Sequence, residues 1–168
     1  METSIPALLV TALLMITTVV LARSGYSSLD TLGQSWQVME QRLSDQTHTR
    51  FSVTQTSIDE GKANITVMLR NDGQTKAVDY SRMDVVVEYF SETGTRYVGW
   101  IPYVTGSLQS NTWTVISISN DAFEPDVLNP GEVMEMQIRV NPPLGPGTTG
   151  WVIIAAENGV TVSAYVTA

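Results

Sequence analysis

Hydrophobic and polar positions change rhythm along the chain, and each rhythm predicts a different element. From Thr3 to Ala22, in "TSIPALLVTALLMITTVVLA", no charge appears. Twenty residues rising about 1.5 Å each give a helix of about 30 Å, the thickness of a bilayer core. Ser4 can cap this helix, and Pro6 falls in its first turn, where a missing N–H does no harm. Beyond Arg23, in "GYSSLDTLGQSWQVMEQRLSD", Leu29, Leu32, Trp36, Met39 and Leu43 follow at intervals of 3, 4, 3 and 4. That is one stripe of a helix with coiled-coil spacing. The same spacing runs back through Gly25, Ala22, Thr18, Met15, Thr11 and Leu8, which predicts one continuous helix of about 40 residues. Ser24-Gly25 is its weak point, since glycine costs a helix interior about 1 kcal/mol relative to alanine.

From Arg50 the period shortens to two, with turn residues at short intervals. "FSVTQTS" opens the series, and "ANITVMLR" places Ile65, Val67 and Leu69 on one face. "NDG" (71–73) reads as a turn. "DVVVEYF" and "RYVGWIPYV" flank "SETGT", a hairpin loop with Gly94 at the left-handed position. "TWTVISIS" follows, and "LNPGE" turns the chain into "VMEMQIRV", where Met134, Met136, Ile138 and Val140 alternate. "NPPLGPG" reads as a rigid connector, and "WVIIAAENGVTVSAYV" as two strands joined by a type I′ turn at Asn158-Gly159. The predicted architecture is α+β: a long N-terminal helix over 1–48, then an immunoglobulin-like β-sandwich of seven or eight strands over 49–168.

The chain has 168 residues and a formal net charge of −8. Residues 1–50 hold four acids and three bases, so the remainder carries thirteen acids against six bases. No basic patch stands out, which argues against nucleic acid and against an anionic membrane surface. With no cysteine, disulfides, thiol catalysis and thiolate metal sites are excluded.

The apolar opening admits three readings. A cleaved signal peptide finds a small-residue site at Val20-Leu21-Ala22, but "METS" has an acid where a basic n-region belongs. A cleaved signal also leaves the helical continuity past Arg23 without a purpose. A simple anchor uses the first half only. The second half, with Trp36 on its stripe, needs a partner, either its own downstream domain or identical helices from other copies.

Chemistry is sparse. His48, the single histidine, lies at the helix–strand junction with no second histidine, and reads as a solvated linker residue. Asp121, Glu124 and Asp126 around Pro125 offer oxygen ligands for calcium but lack the spacing of a dedicated loop, and read as an exposed acidic loop. No nucleophile–base set, phosphate loop or paired-carboxylate motif occurs, so neither catalytic nor cofactor-binding residues are assigned and no cofactor is expected. Asn64-Ile65-Thr66 is an N-glycosylation sequon. Strand alternation turns Asn64 outward, which makes it a candidate glycan acceptor.

In layout the whole chain resembles the archaellins and archaeal type IV pilin-like proteins. The resemblance is carried by "IPALLVTALLMITTVVLARSGYSSL", "ITVMLRNDGQTKAVDYSRMDVVV" and "VLNPGEVMEMQI". Ile5 stands where bacterial type IV pilins carry a glutamate, which favours the archaellin side. The resemblance implies a structural subunit of an extracellular helical filament for motility or adhesion, with itself as partner and no enzymatic activity. It also implies insertion in the cytoplasmic membrane before assembly, a prepilin-type peptidase that removes a short basic leader, and an assembly platform. No basic-Gly junction precedes the apolar run, so Met1 is expected to be the mature first residue. The filament-core contacts it implies are Ile5, Leu8, Leu9, Leu13, Ile16, Val19 and Val20. The stripe of Leu29, Leu32, Trp36, Met39 and Leu43 continues them. The alternative is a membrane-anchored β-sandwich accessory of the same machinery that binds an envelope partner as a stator. An unrelated exported adhesion or carbohydrate-binding domain is a third reading.

Overall fold

The computed structural model describes residues 4–121 and 123–168, with side chains from Leu8 onward except at Ser27 and Ser28. The chain forms two compact units, residues 1–43 and 44–168.

The first element, α1 (Ser4–His48), is a single helix of 45 residues. Pro6 lies in its first turn, as the spacing predicts, and the helix passes through Ser24-Gly25 without a break. Leucine, alanine and methionine, all strong helix formers, dominate its first half. Its C-terminal end belongs to the second unit. There the Thr49 backbone N–H (3.0 Å) and hydroxyl (2.7 Å) both donate to the Asp45 carbonyl, closing the last turn.

Among the described residues, eight strands follow, paired antiparallel in two sheets. They are β1 (Phe51–Ile58), β2 (Asn64–Asn71), β3 (Asp84–Phe90), β4 (Arg96–Ile101), β5 (Thr112–Ser119), β6 (Val133–Arg139), β7 (Thr149–Ala155) and β8 (Thr161–Thr167). The first sheet runs β1-β2-β6-β5 and the second β4-β3-β7-β8. Every run with period-two patterning forms a strand, because alternation lets one face of each sheet exclude water. Ile65, Val67, Leu69, Met134, Met136 and Ile138 of the first sheet are buried, as are Val85, Val87, Val152 and Ile154 of the second. Trp113 on β5 is fully buried, its ring centroid 4.8 Å from that of Tyr103. At the sandwich edge the Thr56 hydroxyl on β1 donates to the Tyr165 carbonyl on β8 at 2.8 Å.

Three local features differ from the sequence reading. Asn158 does not adopt the left-handed conformation that a type I′ turn requires; only Gly159 does, with φ +84°. The Gly159 N–H donates to the Ala156 carbonyl at 2.8 Å and the Ala156 N–H to the Val160 carbonyl at 2.9 Å. The same pattern closes the β3–β4 hairpin, where Gly94, at φ +74°, donates to the Ser91 carbonyl. "NPPLGPG" is more than a connector, because Leu144 is fully buried in the core and bridges to Ser91. Leu128, in the loop before β6, is likewise fully buried.

Asn71 ends β2 and is completely buried. Its amide nitrogen donates to the Thr75 (2.9 Å) and Leu128 (3.1 Å) carbonyls, and its side-chain oxygen accepts from Gly73 N–H at 3.0 Å. All three bonds hold the 71–75 loop, so the turn read at "NDG" is built around a buried amide.

Candidate functional site

The sequence offers one stretch whose chemistry is unanswered within a single chain, the apolar surface of α1. Of the predicted core contacts, Leu8, Leu9, Leu13, Ile16, Val19 and Val20 are all exposed on the helix, with Leu13 at 66% and Ile16 at 63%. The Ile5 side chain and Met1 lie outside the described residues. Val10, Leu14, Met15 and Leu21 are exposed too, and at 3.6 residues per turn these ten leave open one strip of about 100°, where Thr11, Thr18 and Ala22 fall. The expected contacts lie on one side of the helix, and no charge falls on any side between Thr3 and Ala22. By length and composition α1 can cross a membrane, its most apolar window reaching a mean hydropathy of 1.9.

Polar side chains in this stretch turn inward on their own helix. The Thr17 hydroxyl bonds the Leu13 (3.0 Å) and Leu14 (2.9 Å) carbonyls, and the Thr18 hydroxyl bonds Leu14 at 2.7 Å. Thr11 bonds the Leu8 carbonyl at 3.0 Å, and Ser35 bonds Thr31 at 2.9 Å. Each hydroxyl is therefore satisfied before any partner arrives.

Past Arg23 the apolar surface thins to the predicted stripe together with Tyr26 and Val38, both exposed off it. Leu29, Leu32, Trp36, Met39 and Leu43 are each more than half exposed in the single chain. Arg23 and Asp30 are the only charged residues between Thr3 and Met39.

The end of α1 is fastened within the second unit. The Gln74 N–H donates to the His48 carbonyl at 2.7 Å, and the Asp72 N–H to the Arg50 carbonyl at 2.8 Å. Gly73 makes this approach possible, because a Cβ there meets the Arg50 nitrogen and the His48 oxygen at 2.5 Å. From the β7–β8 hairpin, the Asn158 amide donates to Thr49 Oγ1 (2.7 Å) and the Asp45 carbonyl (3.3 Å). Gln46 Nε2 donates in turn to the Asn158 carbonyl at 2.7 Å. The Asn158 side chain and carbonyl thus tie the hairpin to the last turn of α1. His48 is exposed, with Nδ1 2.8 Å from the Ser44 carbonyl.

The remaining sequence candidates are held by their neighbours. The Asp121 carboxylate accepts from the Asp126 N–H at 2.9 Å, and Glu124 pairs with Lys76 at 2.9 Å. Among the described residues no group of three histidine, aspartate or glutamate side chains could hold a metal ion. Asn64 donates from Nδ2 to Asp59 Oδ2 at 2.6 Å and accepts from Arg139 Nε at 2.8 Å. A glycan on that nitrogen leaves it a single N–H for the Asp59 contact. Partial burial raises the Asp59 carboxyl, but hydrogen bonds from Asn64 and Ala63 outweigh it, and its pKa falls below the ordinary 3.8. The Tyr80 hydroxyl donates to the Asp126 carbonyl at 2.9 Å, and burial pushes its pKa up to about 12.

A long helix with an exposed, uncharged first half leads into a cysteine-free sandwich. The family profile of archaeal-type flagellin matches residues 5–166, and the chain belongs to that family. A search of the curated proteins finds no match. Among solved structures, the chain is similar to the archaeal flagellum of Methanospirillum hungatei strain JF1, with TM-score 0.63 and 13% identity over 98% of this chain and 93% of that one. It is also similar to the archaellum periplasmic stator protein FlaG from Sulfolobus acidocaldarius, with TM-score 0.51 and 24% identity over 70% of this chain and 98% of that one.

Proposed function

We propose that this chain is a structural subunit of an extracellular archaellum-type filament that polymerises through α1. The observation that carries the reading is the apolar surface of α1, which covers most sides of the helix and continues as a stripe to Leu43. A bilayer core accounts for about twenty residues of such a surface. The stripe beyond it asks for protein neighbours, and a bundle of identical helices covers both parts. The family and the likeness to the flagellum of M. hungatei support this reading.

Before assembly, lipid solvates Leu8 to Leu21. Leaving lipid for a helix bundle gains packing, not dehydration, since acyl chains are as apolar as leucine. Once the copies are outside the membrane, the alternative to packing is water, and every exposed aliphatic side chain then opposes dissociation. The contact is heterologous and non-closing, the geometry that builds helical polymers. The function resides in these interfaces, not in catalysis; a prepilin-type peptidase and an assembly platform act on the chain beforehand.

The likeness to FlaG favours a second reading, a membrane-anchored stator whose sandwich binds an envelope partner. Electron microscopy and mass spectrometry of sheared surface filaments separate the two. The filament reading expects this chain as a repeating component of helical polymers. A chain found in the cell envelope and never in polymers refutes it and supports the stator.

A further inference from the structure

The apolar half of α1 can pack against its own copies, but its side chains do not say at which level. Exposed Leu, Val, Ile and Met side chains cover most of its sides from Leu8 to Leu21, and such a surface lets parallel helices slide past one another at little cost. Register in an apolar bundle is set by a polar group, because a wrong level leaves that group without its partner.

Arg23 and Asp30 are the two charges between Thr3 and Met39, and they are opposite in sign. At 3.6 residues per turn, seven residues bring the helix back to within about 20° of its starting side. Both charges therefore lie on one side of α1, the side that carries Ile16 and Val19 in the turns before Arg23. Glu40 and Arg42, the next charges along the helix, lie about 80–120° round from them. Arg23 and Asp30 are exposed in the single chain, and among the described residues neither forms an ion pair. Side chains three or four apart meet on a helix; these two are separated by two turns, about 10.5 Å along the axis.

We propose that Arg23 of one copy pairs with Asp30 of the next across parallel α1 helices, offset by about 10.5 Å. The pairing rests on the filament reading and gives that bundle its register. A second copy is the occupant because, shifted by seven residues, it brings the opposite charge to the same level and the same side. Every copy leaves the same membrane in the same orientation, so the helices run parallel. Antiparallel helices satisfy each other's Arg23 and Asp30 and stop at two. In the parallel arrangement one neighbour takes Arg23 and another takes Asp30, so the contact never closes. Since both charges share a side, that side faces the middle of the bundle, where each helix looks onto the same side of its neighbours. Removed from water there, either charge is costly without the other.

Charge reversal tests the pair. Arg23→Glu and Asp30→Arg, each produced alone, are expected to raise the subunit concentration needed to maintain filaments more than about hundredfold. Produced in the same cell, the two variants are expected to form filaments containing both chains by mass spectrometry, since each offers the charge the other has lost. The double variant Arg23→Glu/Asp30→Arg is expected to return to within about tenfold of the unmodified chain. Single variants that assemble normally overturn the proposal, because their charges are then solvated. So does joint production that yields no mixed filaments. An Asp30→Arg chain that assembles while Arg23→Glu fails points to a lipid phosphate at Arg23, and overturns it too. If the unmodified chain forms no filaments, the filament reading fails first and the pair falls with it. Normal filaments from both single variants strike the pair alone and leave the filament reading standing.

Discussion

Truncating Leu13 to alanine tests whether α1 is the buried interface. In the single chain Leu13 is 66% exposed, so about two-thirds of its side chain remains to be covered by neighbours. Leucine to alanine removes about three carbons at about 0.8 kcal/mol each, and two-thirds of that is about 1.6 kcal/mol. The cavity left in a packed bundle adds about 1 kcal/mol. A loss of about 2–3 kcal/mol per subunit raises the critical concentration for dissociation into water about 30- to 150-fold. The assay dilutes sheared filaments into detergent-free buffer and measures the chain remaining after pelleting. Gln37→Ala, on a polar position of the same helix, serves as the control and is expected to change the value less than threefold. Membrane fractionation of Leu13→Ala before assembly is expected to stay normal, since nineteen uncharged neighbours remain from Thr3 to Ala22. A Leu13→Ala filament with unchanged critical concentration refutes the reasoning.

Three further predictions concern the sandwich. Asn71→Ala deprives the buried Leu128 carbonyl and the half-buried Gly73 N–H and Thr75 carbonyl of their partner, and is expected to cost about 3 kcal/mol; thermal unfolding of the full chain in detergent, followed by circular dichroism, measures it. Gly73→Ala forces the backbone apart where a Cβ meets His48 and Arg50 at 2.5 Å, and is expected to lose about 2–4 kcal/mol together with amide-exchange protection at Gln74. Tyr80 has a folded pKa of about 12 against an ordinary 10.0. Its contribution is therefore full below pH 10 and lost as pH rises through 12. Tyr80→Phe is expected to flatten the alkaline limb of a pH–stability curve.

The strands were legible because each buries one face, so that Ile65, Val67 and Leu69 alternate with Asn64, Thr66 and Met68 in the sequence itself. Leu128 and Leu144 were not legible as core, since each lies in a loop with no periodic pattern around it to mark an inward face. Asn71 read as a turn residue because its type and neighbours fit a turn; nothing local shows that the Leu128 carbonyl, far along the chain, waits to receive its amide. Asn158-Gly159 closes a three-residue loop with Gly159 alone left-handed, as Gly94 does in the β3–β4 hairpin, and the Asn-Gly pair by itself does not distinguish that loop from a two-residue type I′ turn. On α1 the spacing gave the helix and the stripe. Which sides matter in the apolar half was hidden, because there the pattern has no polar side to contrast with.

The hydroxyls of Thr11, Thr17 and Thr18, each folded back on a carbonyl one turn earlier, give the apolar half of α1 polar atoms with no outward polarity. Positions 11, 17 and 18 should therefore accept valine or serine readily and reject asparagine, whose amide reaches outward and must find a partner wherever the helix goes. A segment built this way is indifferent to whether fatty acid or protein surrounds it. The same twenty residues suit either surrounding without a change in any of their side chains.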